Sequence, residues 1–193
     1  MDKIILIGGG GHCNSVIDVI EAEGRFEIAG IVDQFQPVGS GVLDYKVIGK
    51  DNDLSSLVDE VQYALITVGQ IKTAELKSRL YQMVKSYGFH FPVVISPRAY
   101  VSRYSSIGGG TVVMHDALVN ANTKIGCNCI INTKSLIEHD TTIGNHCHVS
   151  TGAVINGGVH VGDNCFIGSN AVTSEGLHID DGSFIKAGTL VKC

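Results

Sequence analysis

His139 stands between two carboxylates, Glu138 and Asp140, in a chain of 193 residues. A neighbouring carboxylate makes an imidazole more basic and can hold its proton on the ring nitrogen that chemistry does not use. On a polar turn the same residue can equally be an inert surface histidine. A second group with chemical potential is Gly8-Gly9-Gly10-Gly11-His12, which follows an apolar run and precedes Val16, Ile17 and Ile20 at helical spacing. Glycines between a strand and a helix let a ligand approach the backbone, and the free N–H groups there favour a phosphate. The loop is a poor dinucleotide fingerprint, because reading G-x-G-x-x-G from Gly8 or from Gly9 puts Cys13 or Asn14 in the third glycine's place. The six cysteines include no C-x-x-C pair, and neither Cys127-x-Cys129 nor His146-Cys147-His148 has structural zinc spacing, so no metal is expected.

Two kinds of element must position these residues. Over 1–92, strand-like runs alternate with helical ones: Lys3–Ile7, Ile28–Val32 and Tyr63–Val68 read as buried strands. Between Lys72 and Tyr87 the residues Leu76, Leu80, Val84 and Tyr87 recur at helical steps. The pattern predicts a small parallel α/β sheet with a Rossmann-like arrangement.

Over 93–193 the grammar changes. Of the seventeen positions taken every sixth residue from Ile95 to Val191, all but Thr173 are Ile or Val, with no insertion. This is a hexapeptide repeat. Four residues after each aliphatic position the side chain is small in fourteen of sixteen cases, as at Ala99, Thr123, Cys129, Cys147 and Ala171. Such a pattern suits a prism of three short parallel strands per eighteen-residue coil, with aliphatics stacked about 4.8 Å apart in its interior. Gly108, Gly126, Gly144, Gly162 and Gly168 are expected to ease strain at the corners. Cys129, Cys147 and Cys165 fall in the small-residue column and read as buried hydrophobes rather than nucleophiles, and Cys193 is expected to be mobile. His139 belongs to neither column and is expected to project outward.

These features together resemble the bacterial sialic acid O-acetyltransferase and nucleotide 4-amino-sugar N-acetyltransferase family. The resemblance is carried by Asn132-Thr-Lys-Ser-Leu-Ile-Glu-His139-Asp140, then Ile-Gly-Asn-His-Cys-His148-Val-Ser, behind the Gly8–His12 loop. It implies a left-handed parallel β-helix, against the usual right-handed crossover preference, preceded by a Rossmann-like sugar-nucleotide domain. It makes acetyl-CoA the co-substrate, His139 the catalytic base and Asp140 its acidic neighbour. His148, Gly157 and Ser169 are the positions implied for the acetyl-CoA arm. Asn132 matches a position beside the acceptor sugar, although an asparagine also suits the turn geometry of a corner. The resemblance assigns Gly8, Gly10, Gly11, His12, Asp33 and Gln34 to a uridine-type nucleotide of the acceptor, and it implies a homotrimer with sites shared between neighbouring helices.

Composition narrows the partners. With 14 basic and 19 acidic residues the net charge is −5, with no Lys/Arg cluster, so no nucleic acid is expected. No apolar run approaches the ~18 residues of a spanning helix, and Met1-Asp2-Lys3 leads directly into a strand, which predicts a cytoplasmic protein without membrane association. The function expected is acetyl-CoA-dependent N-acetylation of a nucleotide-linked 4-amino sugar for a surface glycan or nonulosonic acid. Alternatives are O-acetylation of sialic acid or a related sugar, favoured slightly by Ser150-Thr151 and Ile155-Asn-Gly-Gly-Val159, and a hexapeptide-repeat carbonic anhydrase using His139, His146 and His148.

Overall fold

The computed structural model describes residues 1–192; Cys193 lies outside the described residues. The chain divides into two compact units, one of Met1–Gly69 with Leu76–Pro92, the other of Gln70–Glu75 with the chain from Val93 onward.

In the first unit the order is β1 (Asp2–Ile7), α1 (Gly11–Glu23), β2 (Phe26–Val32), β3 (Gly41–Val42), β4 (Tyr45–Gly49), α2 (Leu54–Leu57), β5 (Tyr63–Ile66) and α3 (Glu75–Ser86). The sheet order is β3-β4-β2-β1-β5. Its four strands β4, β2, β1 and β5 are parallel, as the unbroken apolar runs of β1 and β5 require of strands covered on both faces. The β3–β4 hairpin is antiparallel and was not foreseen, because the two residues of β3 are too few to show a pattern. Ile4 to Ile7 are at most 1% exposed, and α1 turns Cys13, Val16, Ile17, Val19 and Ile20 into the core. α1 ends at Gly24, whose left-handed φ of 65° lets its N–H reach the Ile20 carbonyl. In α3 the buried face is Lys77, Leu80, Tyr81 and Val84. Leu76 and Tyr87, expected inside, are exposed: Tyr87 lies past the helix end, and Tyr81 takes the inner place against Phe91, ring centroids 4.2 Å apart.

The second unit is a left-handed parallel β-helix of two-residue strands from Val94–Ile95 to Leu190–Val191. They form three sheets in which every neighbour lies eighteen residues away, as in Leu118↔Leu136 and Val119↔Ile137. The aliphatic ladder fills the interior, and Val119, Ile131, Ile137, Val149, Ile155 and Ile167 are all 0% exposed. Thr173, the exception in the ladder, is 1% exposed, and its hydroxyl accepts the Asn156 N–H at 2.9 Å. Cys129, Cys147 and Cys165 are buried among the small residues, and each thiol donates to a main-chain carbonyl of the next coil.

The corner glycines act differently from expectation. Gly108, Gly126, Gly144, Gly162 and Gly168 are not in the left-handed region; they are small because the next coil passes close, so that a Cβ on Gly126 would lie 2.7 Å from the Gly144 carbonyl carbon. The left-handed corner falls instead three residues after each aliphatic from Gly110 onward, at Asn122, Asn128, Lys134, Asp140 and His146 among others, with φ between 53° and 60° in these five. Asparagine and aspartate tolerate that conformation best among residues with a side chain.

Candidate active site

Ile137 anchors His139. With the isoleucine fully inside, the residue two places on leaves the interior, and the left-handed Asp140 (φ 59°) turns the chain immediately afterwards. The Asp140 N–H is tied to the Ala121 carbonyl of the preceding coil and the His139 carbonyl accepts the Gly158 N–H of the following one, so the exposed dipeptide sits on a fixed backbone.

The imidazole Nδ1 lies 2.7 Å from Asp140 Oδ2, and Asn122 Nδ2 donates to Asp140 Oδ1 at 2.6 Å. A carboxylate can only accept, so Nδ1 carries the proton and the lone pair is left on Nε2. The Asp140 hydrogen bond is the main cause raising the His139 pKa above its ordinary value; solvent loss opposes it, and the charges of Asp140, Glu138 and Glu175 add to it. The Asn122 and His139 hydrogen bonds hold Asp140 below the usual carboxylate range. Glu138 is braced in turn by Asn120 Nδ2 at 2.7 Å.

Gly157 lies one coil beyond His139. A Cβ there would sit 2.9 Å from the imidazole Cε1 and 3.0 Å from Nε2, so any side chain would displace the ring. Among the described residues its N–H has no hydrogen-bond acceptor, so this glycine keeps a free backbone donor.

His148 is brought to a different set of partners. It is 7% exposed, with Nδ1 2.6 Å from the Gln70 carbonyl, Nε2 3.1 Å from Asn132 Nδ2, and its ring edge-on to Phe166. Because a carbonyl only accepts, Nδ1 donates and Nε2 accepts from the amide. Asn132 Oδ1 caps the Thr133 N–H at 2.8 Å, so this asparagine both shapes its corner and orients His148. Ser169 joins neither group; its hydroxyl shares a 3.0 Å hydrogen bond with Ser150.

In the first unit Gly8 (φ 102°) ends the strand, and a Cβ on it would strike Val68 at 2.5 Å. Gly10 and Gly11 open α1 with no side-chain cap, no acidic residue in the first turn and open space where a Cβ would be; His12 lies half-buried in that turn. The α1 amides are thus presented as an anion site requires. Asp33 braces this loop: Oδ2 accepts the Gly9 N–H at 2.7 Å, and Oδ1 accepts those of Phe35 and Gln36 at 2.8 and 2.9 Å. Burial pushes its pKa up, but these three donors outweigh that and hold it below the usual range. Gln34 is exposed, with its Oε1 3.4 Å from the Asp51 N–H. Beside the loop lies a cavity of about 290 Å³, walled by Val32, Val68, Leu76 and Leu80 with Asp51 and Arg79 in its lining.

Several of these residues were missed in the sequence. Asn122 and Asn120 stand eighteen places before the carboxylates they brace, so the coil period could have found them; Gln70, Gln36, Asp51 and Arg79 follow no period. Among the described residues no three His, Cys, Asp or Glu side chains converge to hold a metal, and His146 Nδ1 lies 2.9 Å from Asn128 Nδ2.

Both units have counterparts among known proteins. Residues 3–84 match the PglD N-terminal domain, 122–157 the bacterial transferase hexapeptide and 158–193 the hexapeptide repeat of succinyl-transferase. A histidine-to-asparagine variant of perosamine N-acetyltransferase from Caulobacter crescentus, solved with CoA and GDP-perosamine, is 31% identical, with a TM-score of 0.93 over 99% of this chain and 89% of that one. The acetyltransferase domain of PglB from Neisseria gonorrhoeae FA1090, solved with acetyl coenzyme A, is 28% identical, with a TM-score of 0.88 over 98% and 92%. WeeI from Acinetobacter baumannii AYE, 16% identical with a TM-score of 0.63 over 98% and 96%, shares the fold. The search of curated proteins gives no match.

Proposed function

The chain belongs to the hexapeptide-repeat acyltransferases of the nucleotide 4-amino-sugar N-acetyltransferase family, and from that premise we propose that it moves an acetyl group from acetyl-CoA to the 4-amino group of a nucleotide-linked sugar. The observation that carries the reading is the His139 ring, its proton held on Nδ1 by Asp140, packed against Gly157, whose N–H has no acceptor among the described residues. Acetyl transfer needs those two functions side by side. His139 Nε2 takes the proton that the attacking amine must lose, and the Gly157 N–H donates to the thioester carbonyl oxygen as negative charge gathers on it. The thiols take no covalent part, since all three stacked cysteines are buried and committed to carbonyls. His148 and Ser169 serve the acetyl-CoA arm, His148 as a ring fixed by Gln70 and Asn132, and Asn132 stands toward the acceptor sugar. The nucleotide of the acceptor is taken by the first unit, its phosphates at the Gly8–His12 turn and α1 amides, on a loop shaped by Asp33 and flanked by Gln34.

We further propose a homotrimer. On one face of the β-helix the outward residues of successive coils are Tyr100, Leu118, Leu136, Val154, Val172 and Leu190, an unbroken apolar column. A second face carries Ser106, Lys124, Thr142, His160 and His178 in the same places. A continuous apolar stripe on the surface favours self-association. Light scattering at micromolar concentration should give three times the chain mass, and a monomer would reject this assembly. No helix among the described residues is long and apolar enough to cross a membrane, and a donor made in the cytoplasm implies that compartment.

The deciding experiment incubates the purified protein with acetyl-CoA and, in separate arms, nucleotide-linked 4-amino sugars and sialic acid, following thiol release and product mass. Acetylation of the amine is expected. Product only with sialic acid would transfer the reading to O-acetylation, and no thiol release in any arm would reject it.

A further inference from the structure

The first unit's cavity holds a pair of groups that the acetyl-transfer chemistry does not use. Asp51 follows β4 and Arg79 lies in the middle of α3, and both line the cavity. Among the described residues neither the Asp51 carboxylate nor the Arg79 guanidinium is hydrogen-bonded or ion-paired with another residue. Burial raises the Asp51 pKa, and Arg79 is the largest favourable charge acting against that rise. A partly desolvated carboxylate and a guanidinium lining one cavity are suited to a ligand that gives hydrogens to the first and accepts them from the second. The other carboxylate of the cavity, Asp33, is already saturated by three backbone donors.

Apart from Gln34 the remaining walls are apolar and suited to a flat ring, and Phe35, 90% exposed, is available at the lining to stack on it. Among the common bases only guanine satisfies both polar groups at once. Its N1–H and N2–H₂ are adjacent donors for a carboxylate, while O6 and N7 are adjacent acceptors for a guanidinium fork. Uracil offers a single donor between two carbonyls, and adenine and cytosine each place an acceptor beside their amino group.

We propose that Asp51 and Arg79 make this cavity selective for guanine, so that the acceptor sugar arrives on guanosine diphosphate rather than on the uridine-type carrier suggested by the sequence. The inference rests on the nucleotide-linked acceptor of the proposed function and names its base. Titration calorimetry of the full-length protein with GDP, UDP, CDP and ADP tests it without any acetyl transfer. GDP should bind about tenfold to a hundredfold more tightly than the other three, and Asp51→Asn and Arg79→Gln should each remove most of that margin. UDP binding as tightly as GDP to the wild-type protein would overturn the guanine assignment while leaving a nucleotide-linked acceptor standing. A preference for GDP that survives both substitutions would overturn the role of this pair. Failure of all four nucleotides to bind would overturn the nucleotide-linked acceptor itself and this inference with it. Because the wild-type comparison needs no substitution, the test stands even if one variant fails to fold.

Discussion

The two units build their sites by opposite means. Around His139 every bracing residue lies next to it or a whole coil away: Asp140 adjoins it, Asn122 and Asn120 stand eighteen places before the carboxylates they hold, and Gly157 lies eighteen after the ring. Around the first unit's cavity the partners come from unrelated stretches, with Asp33 reaching back twenty-four residues to Gly9 and with Asp51 and Arg79 lining it from different elements. A repeat converts sequence distance into spatial distance; an α/β sheet does so only through the details of its loops. Substitutions in the periodic site should therefore act on one column at a time, whereas those in the aperiodic site should spread through a loop.

The largest effect is expected from His139→Ala. The side chain is exposed, so the melting temperature should hardly move, while kcat falls by about 10² to 10⁴ if a general base is lost. Activity near the wild-type level would detach the chemistry from this column altogether. The next contrast separates two glycines of the β-helix. In Gly144→Ala the new methyl meets the backbone of Gly162 and Asp163 at 2.6 to 2.7 Å, and because a packed coil cannot withdraw, about 1–3 kcal/mol of stability should be lost. In Gly157→Ala the methyl meets only the His139 ring, which can swing aside. Stability should persist while kcat drops about tenfold to a hundredfold through misplacement of Nε2. Measuring melting temperature and kcat for both variants checks whether the two losses separate.

What could be read from the sequence follows the same division. The aliphatic ladder, the small-residue column and the outward course of His139 were all legible, because a steric rule recurring every six residues leaves a count that chance does not imitate. The corner glycines were assigned the wrong physical reason, since a sequence shows that a residue is small without showing whether a dihedral angle or a neighbouring coil demands it. In α3 periodicity picked out Leu80 and Val84 correctly but also Leu76, which lines the cavity instead. The bracing by Asp33 was not legible for a related reason: a carboxylate at a strand end looks the same in sequence whether or not backbone amides hold it. Asp33→Asn therefore tests the aperiodic half. With Oδ1 kept for Phe35 and Gln36, replacing Oδ2 by an amide nitrogen leaves the Gly9 N–H without its acceptor, which should lower stability by about 1–3 kcal/mol and weaken nucleotide binding, while leaving the pH profile set by His139 in place. A shift of that profile would show that the two sites do not act independently.

The smallest and most discriminating effects concern proton affinity. His139 must be neutral to act as a base, so kcat/KM should be low beneath its raised pKa and climb as the pH passes upward through it. Asp140→Asn removes the hydrogen bond that is the main cause of that rise. The pKa then falls back, the acid limb moves to lower pH, and the plateau drops by about tenfold as the ring loses basicity and orientation. Glu175→Gln takes away only a distant charge two coils along the same column and should move the limb in the same direction by less, with the plateau unchanged. Profiles of kcat/KM from about pH 5 to pH 9 for the three proteins give the comparison. A limb that stays fixed in both variants would mean that a group outside this column sets it, and the column would then lose its claim to the proton transfer even if His139→Ala were inactive.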